Sequence, residues 1–245
     1  ELSDLVTALE ETHELFDEHG CRASDHGILR AFSHVVSEQR ADRIYQKARA
    51  GERLKDSEIA DFKSFMLHRF AAMNRDGGWV MQLHIGAVRD YRHSLYESLG
   101  ADSGGDVSTQ DIDMTEDLQG LFNAFDGELD IVLYCLDPTH YPSVATLTRA
   151  FPNVSMGAPW WFNDSPCGIR HQLRVTASVD VLANHAGMVS DSRKILSYGS
   201  RMEMFRRCLC DVLGGMVERG RMPEDTAGDL AELLSYRRPK ELFNL

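Results

Sequence analysis

The chain has no apolar run approaching the roughly 18 residues that a bilayer crossing takes, and its N-terminus lacks the charged and apolar regions of a signal peptide. The expectation is a soluble, cytoplasmic protein with no membrane partner. Cysteine is scarce: Cys21, Cys135, Cys167, Cys208 and Cys210 are odd in number, scattered and without a C-x-x-C pair. That argues against a disulfide framework or a zinc knuckle and leaves mostly buried thiols. Basic residues are short as well, 26 Lys and Arg against 38 Asp and Glu, for a formal net charge of -12. A phosphate-binding face needs a basic excess, so no nucleic acid is expected as a partner. No G-x-G-x-x-G, G-x-x-x-x-G-K or G-x-S-x-G occurs, which removes support for a dinucleotide, a nucleoside triphosphate or a serine hydrolase. There is no internal repeat, low-complexity tract or linker, so one domain is the default. The first residue is Glu1 rather than Met, which points to processing or to a longer chain.

What is present is alternation. At 245 residues and 43% hydrophobic content, the chain can bury a sizeable core and matches the size of an α/β barrel. Residues 3 to 18 read as a helix with Ser3 as N-cap and Gly20 as a stop, and a helical pair follows near 38 to 50 and 57 to 74. In the second of these, Ile59, Phe62, Met66, Phe70 and Met73 recur at helical spacing and are expected in the core. Further helices are expected near 115 to 126, 143 to 150, 165 to 184, 201 to 219 and 224 to 235. Five strand candidates, near 21, 79, 131, 154 and 186, are each followed by helix. This order predicts an α/β protein with a parallel sheet covered by helices, without deciding whether the sheet closes. Residues 93 to 148 contain no Lys or Arg, and their first part reads as a long acidic loop.

Polar residues fall where strands end. In the run from Trp79 to Ile85, Trp79, Met81, Leu83 and Ile85 share one face, while Val80, Gln82 and His84 share the other and would line a barrel interior. The stretch His185 to Tyr198 opens with an apolar run and then presents Asp191 and Arg193, which serve either as a strand-closing ion pair or as chemistry. Asp25, His26, Asp137, Trp160 and Trp161 fall at the other strand ends, where ligands bind in α/β sheets. Imidazole and carboxylate converging there suit a divalent metal or acid–base catalysis.

The residues themselves carry a resemblance. G-C-R-A-S-D-H-G at 20 to 27, G-W-V-M-Q-L-H-I-G-A at 78 to 87, L-Y-C-L-D-P at 133 to 138, W-W-F-N-D at 160 to 164 and G-M-V-S-D-S-R-K-I-L-S-Y followed by F-R-R-C-L-C strongly resemble uronate isomerase, also called glucuronate isomerase, of the amidohydrolase superfamily. The match resembles only the later half of that family's chain. Members begin with a strand bearing H-x-H, which is absent here, so the resemblance implies that this chain supplies strands four to eight of an eight-stranded barrel, with an N-terminal portion missing. It implies aldose–ketose isomerisation of D-glucuronate to D-fructuronate and of D-galacturonate to D-tagaturonate, a divalent metal, zinc first, and a homo-oligomer. Residue by residue, it makes Asp191 and His84 metal-site and catalytic residues and Arg193 the stabiliser of substrate oxygens. Arg22, Asp25, His26, Trp160 and Trp161 would line the uronate pocket. Departures are Arg89-Asp90-Tyr91, the loop at 103 to 110, and the tail from Tyr236 to Lys240. A hydrolase of the same superfamily and a metal-free assembly partner are the alternative functions.

Overall fold

The structure, a computed structural model, describes residues 1–245. Helix α1 (Leu2–Glu18) leads into β1 (Ala23–Ile28), and α2 (Glu38–Arg49) and α3 (Asp56–Gly77) precede β2 (Val80–Ile85). A short ribbon of β3 (Ala87–Val88) and β4 (Val107–Ser108) brackets α4 (His93–Leu99). Then come α5 (Met114–Ala124), β5 (Ile131–Cys135), α6 (Tyr141–Ala150), β6 (Val154–Met156), α7 (Pro166–Val179), α8 (Ile195–Glu218), α9 (Glu224–Glu232) and α10 (Arg238–Leu242).

Capping chemistry sets several of these boundaries. Ser37 accepts the Arg40 amide at the start of α2, Asp113 accepts two amides at α5, and Ser165 accepts Gly168 at α7. At α3 the stop is Gly78 at φ 66°, a left-handed position that glycine takes without a Cβ clash. Helix α1 starts one residue earlier than expected, with Glu1 rather than Ser3 at its cap.

Four of the five expected strands pair in parallel, in the order β1-β2-β5-β6. The fifth is not a strand. Ala186 donates to the Met156 carbonyl beside β6, but Gly187 turns to φ 82° where its backbone passes Leu234 and Pro239. That conformation leaves the extended region, so the ladder ends after one bond.

The sheet separates two kinds of interior. Met81, Leu83 and Ile85 of β2 join Leu118, Leu121 and Phe122 of α5 and Val144 of α6 in the main core under the outer helices. Each such side chain, fully buried, stabilises the fold by about 1.5–3 kcal/mol. On the other face Val80, Val132 and Ala186 pack against Leu242 and Phe243, which close the N-terminal end of that face. The expected alternation along β2 therefore holds, and the polar residues of that face lie above the apolar floor. The stripe expected on α3 is shifted: Ser64, Phe65, Leu67, Ala71 and Asn74 are buried, Phe62, Met66, Phe70 and Met73 are half-buried, and Ile59 is exposed. Helix α3 packs on α1, α2 and β2 at once, so its most buried line runs between the two apolar flanks. No helix is long and apolar enough to cross a membrane.

Candidate active site

Strand alternation delivers a cluster of polar groups to the upper part of the inner face. His84 is 7% exposed, and its Nδ1 lies 2.6 Å from Asp25 Oδ1 on the neighbouring strand. An ionised carboxylate only accepts, so Nδ1 carries the proton and the Nε2 lone pair is left for another partner. The ring is held on both sides, stacked on Tyr134 at 4.2 Å and met edge-on by Trp160 at 4.6 Å. Tyr134 donates to Gln82 Oε1 at 2.8 Å. Burial, with Asp25 and Asp191 nearby, pushes the Tyr134 hydroxyl well above the usual phenol range. Two carboxylates from different segments, Asp25 of β1 and Asp191 in the run after Gly187, thus disfavour ionisation of the same hydroxyl.

Asp191 is exposed, at φ 43°, with no hydrogen bond to the rest of the chain, and Arg193 is exposed and makes no ion pair. The strand-closing ion pair that the sequence left open is therefore not formed. Trp161, at φ 50°, turns from His84 and lies under Arg89, whose guanidinium carbon is 4.7 Å from the ring centroid. Asp137 caps the turn after β5, accepting from the Thr139 amide and hydroxyl. Burial works against its charge, yet these bonds hold its carboxyl below the usual range.

Two expected pocket residues stand elsewhere. Arg22 precedes β1, so it sits at the N-terminal end of the sheet, paired with Asp17 of α1 at 3.2 Å. His26 alternates away from Asp25 into the helix layer, where Nε2 lies 2.8 Å from Ser24 Oγ and the ring contacts Phe70. Burial there lowers its pKa from the ordinary value, with Asp25 acting the other way. Tyr134 was hidden in an apolar run, and Arg89 carried no signal beyond its place after a strand.

Comparison with known proteins ties this geometry to a family. The glucuronate isomerase family model matches residues 1–243. The chain belongs to the glucuronate isomerase family. It is 56% identical to uronate isomerase of Thermotoga petrophila over 242 residues, covering 99% of this chain and 54% of the relative. The crystal structure of uronate isomerase from Thermotoga maritima superposes with a TM-score of 0.95 at 55% identity, over 97% of this chain and 53% of that one. Glucuronate isomerase from Caulobacter crescentus gives 0.93 at 29% identity, over 98% and 50%. This member of the glucuronate isomerase family thus spans about half the length of the curated relatives it matches.

The donor set decides how far a metal fits. His84 Nε2 and the Asp191 carboxylate are of the right chemistry, but no three His, Cys, Asp or Glu side chains group as metal ligands. These residues do not complete a metal centre on their own.

Proposed function

We propose that the protein is an aldose–ketose isomerase of hexuronic acids, interconverting D-glucuronate with D-fructuronate and D-galacturonate with D-tagaturonate. The observation that carries this reading is the family match along residues 1–243. The Asp25–His84 pair and the exposed Asp191 carboxylate suit the chemistry. Moving the carbonyl from C1 to C2 requires a base at the C2 proton, return of a proton to C1, and an electrophile for the enediolate oxygens. In this reading Asp191 moves the proton, and His84, held by Asp25, faces the reacting oxygens. Arg193 supplies positive charge to them, while Trp160 and Trp161 form the sugar-facing wall.

In the same reading residues 1–245 form the C-terminal portion of one α/β barrel domain, strands four to eight of eight. The unpaired outer edge of β1 and the coverage of about half of each relative support that. The remaining strands would bring the further ligands that a divalent metal, zinc first, needs beside His84 and Asp191. A homo-oligomer is supported by Ile195 and Leu196, which stand 85% and 94% exposed on the first turn of α8. A cytoplasmic location suits a sugar-acid metabolic enzyme.

The test is incubation of the full-length protein with D-glucuronate, following ketouronate by NMR. Formation of D-fructuronate is expected, and its absence would overturn the reading. Asp191→Asn should abolish turnover while the protein stays folded, since Asn tolerates the left-handed backbone. Arg193→Lys should slow it, because a point charge does not replace a planar fork. Full activity in Asp191→Asn would remove that residue from the mechanism.

A further inference from the structure

We propose that Arg201 is a positioning residue: by pairing with the buried Asp164 it anchors the start of α8 and so places Asp191 and Arg193 relative to the Trp160–Trp161 turn. The catalytic part of this inference rests on the isomerase reading above. It arises from how little else holds those two side chains. The last backbone hydrogen bond from their segment to the sheet is donated by Ala186, and Gly187 then turns away. Met188 is the last buried side chain before Asp191, and residues 188–193 make no backbone hydrogen bond. Ser192 is tied only to Ser197, within the same segment.

The helix that follows gives no earlier hold. From Arg193 to Ser200 every residue is exposed except the half-buried Ser197, and the first buried side chain of α8 is Phe205. Arg201 is the first side chain of the helix paired with another part of the protein. Its guanidinium meets Asp164, whose side chain is only 4% exposed. Asp164 Oδ1 has no hydrogen-bond partner, so Arg201 alone offsets a carboxylate charge that is costly to bury.

Asp164 is in turn fixed to the strand ends. Asn163 donates to the Leu136 carbonyl just beyond β5 at 2.6 Å, and the Asp164 amide closes the turn onto the Trp161 carbonyl at 3.2 Å. Ser165 caps α7, and a Cβ on Gly168 would stand 2.0 Å from the Asn163 carbonyl oxygen, so the turn lies directly on that helix. Trp160, edge-on to His84, enters the same turn. One ion pair therefore links the segment carrying Asp191 and Arg193 to the turn that carries the aromatic wall.

Two measurements on the full-length protein test this: steady-state kinetics with D-glucuronate, and amide hydrogen exchange over residues 188–200. A misplacement of about 1 Å should lower kcat by about 10–100-fold in Arg201→Met, with KM changed by less than about threefold. Exchange over 188–200 should quicken while residues 205–218 stay protected. Arg201→Lys, which keeps the charge, should restore part of both. Arg207→Gln, on the exposed face of the same helix where only Glu203 pairs with it, should change neither. Faster exchange with wild-type kcat would make the pair merely structural and overturn the role, as would unchanged exchange or an equal loss in Arg207→Gln. If Arg201→Met does not fold, Asp164→Asn decides by the same two readouts. A wild type inactive on uronates would sink the isomerase reading and the catalytic role with it, whereas the exchange data would still decide whether the pair anchors the segment.

Discussion

At the scale of single residues, the Asp25–His84 hydrogen bond sets the tautomer and aim of the imidazole. Asp25→Asn leaves Nδ1 without its charged acceptor and should lower kcat/KM by about 10–100-fold, the usual cost of losing such a partner; wild-type kinetics would mean that packing on Tyr134 and Trp160 orients the ring unaided. A second histidine does structural work. His185 is fully buried, accepts the Gly187 amide at Nδ1 and donates from Nε2 to Gln172, and burial with Arg238 nearby lowers its pKa to about 4. Below the ordinary 6.5 the unfolded chain takes up a proton that the folded one refuses. Stability from this group is therefore complete above that value and falls as pH drops towards about 4, by up to roughly 3 kcal/mol. Thermal unfolding between pH 7 and pH 4 should show the decline, and His185→Gln should flatten part of it. Arg22 and His26 were misplaced for reasons the sequence contains. Residues 25 and 26 of one strand cannot face the same side, and Arg22 lies before the strand begins.

At the scale of elements, most helices were legible because caps and periodicity coincide. The ribbon of β3 and β4 and the short α4 were not, since strands of two residues leave no alternation to read. They bring Arg89 to Asp106. The end of β6 shows a tighter dependence. A Cβ on Gly157 would stand 2.2 Å from Tyr134 Cε1, so Gly157→Ala must displace the ring that stacks on His84. That overpacking should cost about 1–3 kcal/mol, read as a lowered Tm together with lost activity. An unchanged Tm would show that Tyr134 can move aside freely.

At the scale of the whole molecule, the sheet ends at β1 with unpaired backbone groups, a template for association. Residues 1–245 expressed alone should self-associate, whereas the full-length protein should not aggregate through this edge. Light scattering on both checks this, and a monodisperse monomer of the isolated residues would count against the barrel reading. By itself the sequence determined the α/β class, the parallel order of helices and strands, the two faces of β2 and the family, because hydrophobic period, caps and local motifs are properties of short segments. Only the tertiary structure decided that the run from Ala186 breaks off at Gly187, that Asp25 holds His84, and that the ion pair of Asp191 with Arg193 is absent. Those outcomes depend on which segments pass within a few ångströms of each other, and on Pro239 and Leu234 crossing Gly187 in particular. In the proposed isomerase reading, the stretch from His185 to Tyr198 is one side of a site to which β1, β2 and β5 contribute Asp25, His84 and Tyr134.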